Sequence, residues 1–101
     1  MEINIKGHDL TVTQSIEKYI KDKFSNIIIP EKMNVANFTI GKHKTSKFIR
    51  FDTHVLNKDL HLEEGDDDLY AAIDKIMNKI KISFVKMKGK RNVPMHVSKK
   101  F

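Results

Sequence analysis

The stretch that most constrains this chain runs from Asp68 to Lys90, DLYAAIDKIMNKIKISFVKMKGK. Leu69, Ile73, Ile76, Met77, Ile80, Phe84 and Met87 recur at spacings of three and four, which predicts a long helix laying one apolar stripe on a core. Lys75, Lys79, Lys86 and Lys90 fall within about 60° of one another at 100° per residue, and so form a basic stripe on another side. From Lys75 to the last residue the chain holds nine of its 19 Lys and Arg and no Asp or Glu. All 13 acidic residues lie before that point, so the formal charge of +6 comes from one end of the chain.

A length of 101 residues points to one domain with a single core, built as helices on one sheet. Residues 1–90 are expected to form it, with 91–101 as a flexible basic tail around Pro94. With no cysteine, neither disulfides nor a thiolate zinc site can hold the fold. The opening MEINIKGHDL has no secretory pattern, and no stretch approaches the ~20 apolar residues that span a bilayer, so the expected setting is the cytoplasm. Clustered lysine implies a polyanionic partner.

Taken in order, Glu2 to Lys6 alternates as a half-buried strand. Thr13 is the expected N-cap of a helix reaching about Asn26, with Ile16, Tyr19, Ile20, Phe24 and Ile27 inward. After Pro30 come strands at Val35 to His43, Phe48 to Leu56 and Asp59 to Glu64. A loop at Asn57 and Lys58 would pair Val55 with Leu60 and Thr53 with Leu62. Gly65 and three aspartates then lead into the long helix, where an Asp can cap it. The predicted fold is α+β, in the order β-α-β-β-β-α: a four-stranded sheet with two helices on one face. The first two strands should be parallel, and the layout resembles that of double-stranded RNA binders.

The lysine run is the strongest functional signal, because solvation of an outer face does not require 27 residues without an acid. Nucleic acid is favoured over a membrane surface, since the helix's apolar side is needed by the sheet. On the expected hairpin register His54 faces His61 and Asp52 faces Glu63, a lesser candidate for zinc or nickel that a solvated sheet face also explains. Single-strand stacking would use Phe48 alone on the open sheet face. With no P-loop, nucleophile elbow or cysteine, no enzyme and no cofactor are expected. A free-standing double-stranded RNA binder and a metal-dependent hydrolase are the competing readings.

The heptapeptide Asp68-Leu69-Tyr70-Ala71-Ala72-Ile73-Asp74, with the opening EINIKGHDLTVTQSIEKYIKDKF, resembles the ribosome hibernation promoting factor and ribosome-associated inhibitor family (sigma-54 modulation proteins) over roughly residues 2–90. The resemblance implies a factor seated in the decoding region of the small ribosomal subunit, in the channel of mRNA and the A- and P-site tRNA anticodons, which silences idle ribosomes and in some cases promotes their pairing. It implies a monomeric short form without the extra dimerisation domain. Lys79, Lys86 and Lys90 match basic positions of the family's last helix, and Lys23 one in its first. With Lys75, Lys88 and Arg91 they make the expected RNA-binding set, and Lys81 stands nearby. Ile82, Glu17 and Asn26 depart from positions where the family is usually basic.

Overall fold

The computed structural model describes residues 1–92, with side chains described through Lys88. Six elements follow one another: β1 (Glu2–His8), α1 (Gln14–Ser25), β2 (Val35–His43), β3 (Ser46–Val55), β4 (Lys58–Asp66) and α2 (Leu69–Asn92). The strands stand side by side in chain order, with β1 and β2 parallel and the other pairs antiparallel. This is the expected α+β arrangement, with both helices on one face. The flexible tail expected at 91–101 lies outside the described residues apart from Arg91 and Asn92, which fall within α2.

Local chemistry sets the helix starts. The Ile16 N–H donates to Thr13 Oγ1 at 3.2 Å, with Thr13 in extended backbone, as an N-cap requires. At α2 the Tyr70 N–H donates to Asp68 Oδ1 at 3.1 Å, and the Asp68 N–H donates to Asp66 Oδ1 at 3.0 Å. Two of the three consecutive aspartates thus serve the turn and the cap.

The core is a layer of aromatic and branched side chains between helices and sheet. Phe24 of α1 meets Phe38 of β2 edge-on at 5.4 Å between centroids, and Phe38 lies 5.0 Å from Phe51 of β3. Phe84 of α2 closes the group 6.3 Å from Phe51. Ile20, Ile40, Ile49, Ile73, Ile76 and Ile80 fill the space around them, fully buried. Burying each such side chain contributes roughly 1.5–3 kcal/mol. Truncating Phe51 to Ala would cost about 3–5 kcal/mol, since the surroundings cannot close the hole.

The β3–β4 register corrects the expected one. Leu56 and Asn57 form the loop, both at positive φ (54° and 64°), and Val55 pairs with Lys58, Thr53 with Leu60 and Phe51 with Leu62. On the outer face His54 therefore stands opposite Asp59, Asp52 opposite His61 and Arg50 opposite Glu63. The expected register would have set Asp52 against Glu63, a destabilising like-charge pair. Three complementary pairs replace it, and they offset the roughly 1–2 kcal/mol cost of a leucine in left-handed backbone.

Candidate nucleic-acid interface

α2 owes its placement to its apolar stripe: Leu69, Ala72, Ile73, Ile76, Met77, Ile80 and Phe84 are buried against the sheet and α1, and Met87 is half-buried. The lysines accordingly lie outward, but in two rows. At 100° per residue Lys75, Lys79 and Lys86 follow one flank, the side of β4, while Lys81 and Lys88 continue the line of Tyr70 and Asp74 on the α1 side. Ile82 and Val85 lie between the rows, exposed.

The first row is not uniformly charged. Lys75 Nζ lies 2.9 Å from Asp66 Oδ2 and donates to the Gly65 carbonyl at 3.2 Å. Lys79 Nζ lies 2.9 Å from Glu64 Oε2 and donates to the Glu63 carbonyl at 3.2 Å. Both carboxylates come from β4, on the face that carries Leu60 and Leu62. Asp66 is held below the usual carboxylate range, first by the Asp68 N–H and then by Lys75, and Asp66 in turn holds the Lys75 ammonium above its ordinary value. The self-repulsion expected of this row is thus relieved at Lys75 and Lys79. Among the described residues, Lys81, Lys86 and Lys88 have no carboxylate within 4.0 Å, so positive potential builds toward the end of α2.

Lys23 sits at the helix–helix seam. Its ammonium lies 3.7 Å from Asp74 Oδ1 and 5.4 Å from the Tyr19 ring centroid. The Tyr19 hydroxyl donates to Asp74 Oδ1 at 2.7 Å, which raises its pKa, and Tyr19 meets Tyr70 edge-on at 4.9 Å. The seam therefore fixes Lys23 relative to the second row. The side chains of Lys90 and Arg91 lie outside the described residues.

The histidine and carboxylate candidates separate into pairs. His54 Nδ1 lies 2.8 Å from Asp59 Oδ1, which lowers the Asp59 pKa, and His61 Nδ1 lies 2.6 Å from Asp52 Oδ1. Glu63 turns to Arg50 at 3.4 Å. Asp52, His54, His61 and Glu63 thus do not converge, because the two-residue register shift gives each histidine a carboxylate of its own. Among the described residues no three His, Cys, Asp or Glu gather as a metal site needs.

Sequence reasoning passed over two other basic groups. Lys42 and Lys47 face each other directly across the β2–β3 hairpin, whose loop is Lys44 and Thr45. The signal was present: the segment 42–47 holds three Lys, one His and no acid. Lys6 and Arg50 lie on the open sheet face and were hidden by their distance in sequence. No helix among the described residues is long and apolar enough to cross a membrane.

Residues 3–92 match the family model described as sigma 54 modulation protein / S30EA ribosomal protein. The chain belongs to this family. Among S30EA relatives, the ribosome hibernation promoting factor of Klebsiella oxytoca is 26% identical over 91 residues, covering 89% of this chain and 96% of that one. The ribosome hibernation promotion factor of Staphylococcus aureus (strain COL) is 30% identical over 97 residues, covering 91% of this chain and 50% of its own length. The fold matches a ribosomal subunit interface protein from Coxiella burnetii with a TM-score of 0.83 at 17% identity, over 88% of this chain and 99% of that one. It also matches the N-terminal domain of Thermus thermophilus protein Y, with a TM-score of 0.72 at 22% identity, over 82% and 94% of the two chains. S30EA membership makes the chain a non-catalytic, ribosome-associated factor.

Proposed function

We propose that the chain is a cytoplasmic ribosome hibernation factor that occupies the decoding region of the small subunit and blocks the mRNA and A- and P-site tRNA channel by filling it. The observation that carries this reading is the run Lys81, Lys86 and Lys88, which has no carboxylate within 4.0 Å among the described residues, on a helix whose apolar side is already spent on the sheet. A helix with its side chains is about 10–12 Å across, so rows on its two flanks reach phosphates on both walls of an rRNA groove. Each contact releases condensed counterions, and a rigid domain held at several points excludes other occupants. Lys23, Lys75 and Lys79 contribute by exchanging a carboxylate for a phosphate, an exchange that is inexpensive for the exposed Lys23–Asp74 pair, since such pairs are worth about 0–1 kcal/mol. Lys90 and Arg91 add two further positive charges at the same end of the helix sequence. The protein acts as a monomer, and any pairing of ribosomes follows from its seat on the small subunit.

The family relationship supports this reading, since relatives across most of the chain carry the name ribosome hibernation promoting factor. Competition on purified small subunits tests the location. Saturating protein should prevent tRNA from binding to programmed subunits, and prebound tRNA should exclude the protein. Simultaneous occupancy would refute the decoding-region seat. Equal affinity for a plain RNA duplex and for the subunit would favour a free-standing duplex binder instead.

A further inference from the structure

The sheet face turned away from the helices has a chemistry of its own. One ladder row crosses it as Lys6, Thr39, Arg50 and Glu63, and the next reads His8, Gly41, Phe48 and Gly65. Strands lie about 4.8 Å apart, so the backbones of Lys6 and Arg50 stand about 10 Å apart with the short Thr39 side chain between them. Lys6, Gly7, His8, Thr39 and Arg50 line a cavity of about 330 Å³ there. That volume falls at the lower end of the roughly 300–1,000 Å³ typical of small-ligand sites.

Gly7 contributes only backbone to the lining: it pairs with the buried Ile40, and on that opposite, helix-facing side a Cβ would stand 1.8 Å from the Leu10 carbonyl oxygen. Arg50 meets Glu63 through Nε at 3.4 Å, which leaves its terminal nitrogens for another acceptor. Lys6 has no carboxylate within 4.0 Å among the described residues. Nearby anions are Glu63 in the same row, Asp52 in the next row, itself 2.6 Å from His61 Nδ1, and Asp9, 3.8 Å from His8 Nε2. Beside the cavity the Phe48 ring occupies the space a side chain on Gly41 would need: a Cβ there would stand 2.2 Å from Phe48 Cζ. The Arg50 guanidinium carbon lies 5.6 Å from the centroid of that ring.

Two cations across a trough, with a half-exposed aromatic ring alongside, match one unit of a single RNA strand: a phosphate between the cations and a base against the ring. A duplex would offer the phosphate but no free base face. We propose that this trough is a second nucleic-acid site, which takes a single-stranded RNA nucleotide with its phosphate between Lys6 and Arg50 and its base on Phe48. It adds a second face to the RNA contact made by α2, and it rests on RNA being the partner.

Amide chemical shifts of the ¹⁵N-labelled full chain, titrated separately with single-stranded hexauridylate, a short RNA duplex and inorganic phosphate, test the site. The hexamer should move the amides of Lys6, Gly7, His8, Thr39, Gly41, Phe48 and Arg50, while the duplex moves those of Lys81, Lys86 and Lys88. Lys6→Glu changes an exposed edge-strand side chain and should weaken the hexamer response at least tenfold, leaving the duplex response intact. Phe48→Leu, which keeps bulk over Gly41, should weaken it about fivefold or more, the lower range for losing one base–aromatic stack. Hexamer shifts confined to α2, or unchanged in Lys6→Glu, would overturn the site. Inorganic phosphate moving the same amides as strongly would overturn the nucleotide assignment. A duplex that fails to shift α2 would count against the helix-face reading and leave this one standing.

Discussion

Lys79 of α2 holds Glu64 of β4 at 2.9 Å, one turn beyond the point where Lys75 holds Asp66 at the same distance. These pairs discharge the first half of the basic row and leave Lys86 as its most available cation. Neutralising the carboxylates in a Glu64→Gln, Asp66→Asn variant should tighten binding to small subunits. It should also steepen the log affinity against log salt plot, by up to about 0.7–0.9 for each lysine that then meets a phosphate. Affinities measured across a salt series check this. Unchanged affinity and slope together would show that the carboxylates do not hold Lys75 and Lys79 back from phosphates.

Acid stability follows from two aspartates. Asp66, bonded by the Asp68 N–H and Lys75, and Asp59, bonded by His54, both have carboxyl groups held below the usual range. A depressed folded-state pKa contributes stability that is fully present above the ordinary aspartate value of about 3.9 and is lost as pH falls below it. The urea midpoint should therefore drop between pH 5 and pH 3, estimated as about the width of such a titration. Asp59→Asn and Asp66→Asn should each reduce that drop. A drop of the same size in both variants would assign the acid limb to other groups.

The β3–β4 loop places Leu56 and Asn57 at positive φ, the backbone of a type I′ turn. Asn57→Gly should stabilise the domain by about 0.5–1 kcal/mol, because glycine suits the second position of that turn best. Asn57→Val should destabilise it by more than that, since a β-branched residue resists left-handed backbone. Thermal unfolding of both variants reads the sign. A valine variant as stable as the parent would contradict the loop.

What the sequence disclosed was local. The Thr13 cap, the Ile16, Ile20 and Phe24 stripe and the apolar side of α2 depend on spacings of three and four and on one capping hydroxyl, all readable within a few residues. The hairpin register escaped because alternation repeats every two residues: sliding β4 by two keeps Leu60 and Leu62 inward either way. Only the charges on the other face distinguish the registers, with Asp52 opposite His61 in one and opposite Glu63 in the other. The Lys75–Asp66 and Lys79–Glu64 pairs were hidden for a different reason, since they require knowing that β4 lies alongside α2. So did the meeting of Lys6 with Arg50, which are separated by two intervening elements and share one ladder row.

The central claim is that lysines on the outer side of α2 hold this protein to ribosomal RNA. Co-sedimentation with purified small subunits, for the parent chain and the Lys79→Glu, Lys86→Glu variant in dilute and in high-salt buffer, tests it most directly. The parent should pellet with subunits in dilute buffer and be released steeply as salt rises, while the variant, folded by circular dichroism, stays in the supernatant throughout. A variant that pellets like the parent, or a parent that stays in the supernatant even in dilute buffer, would contradict the account.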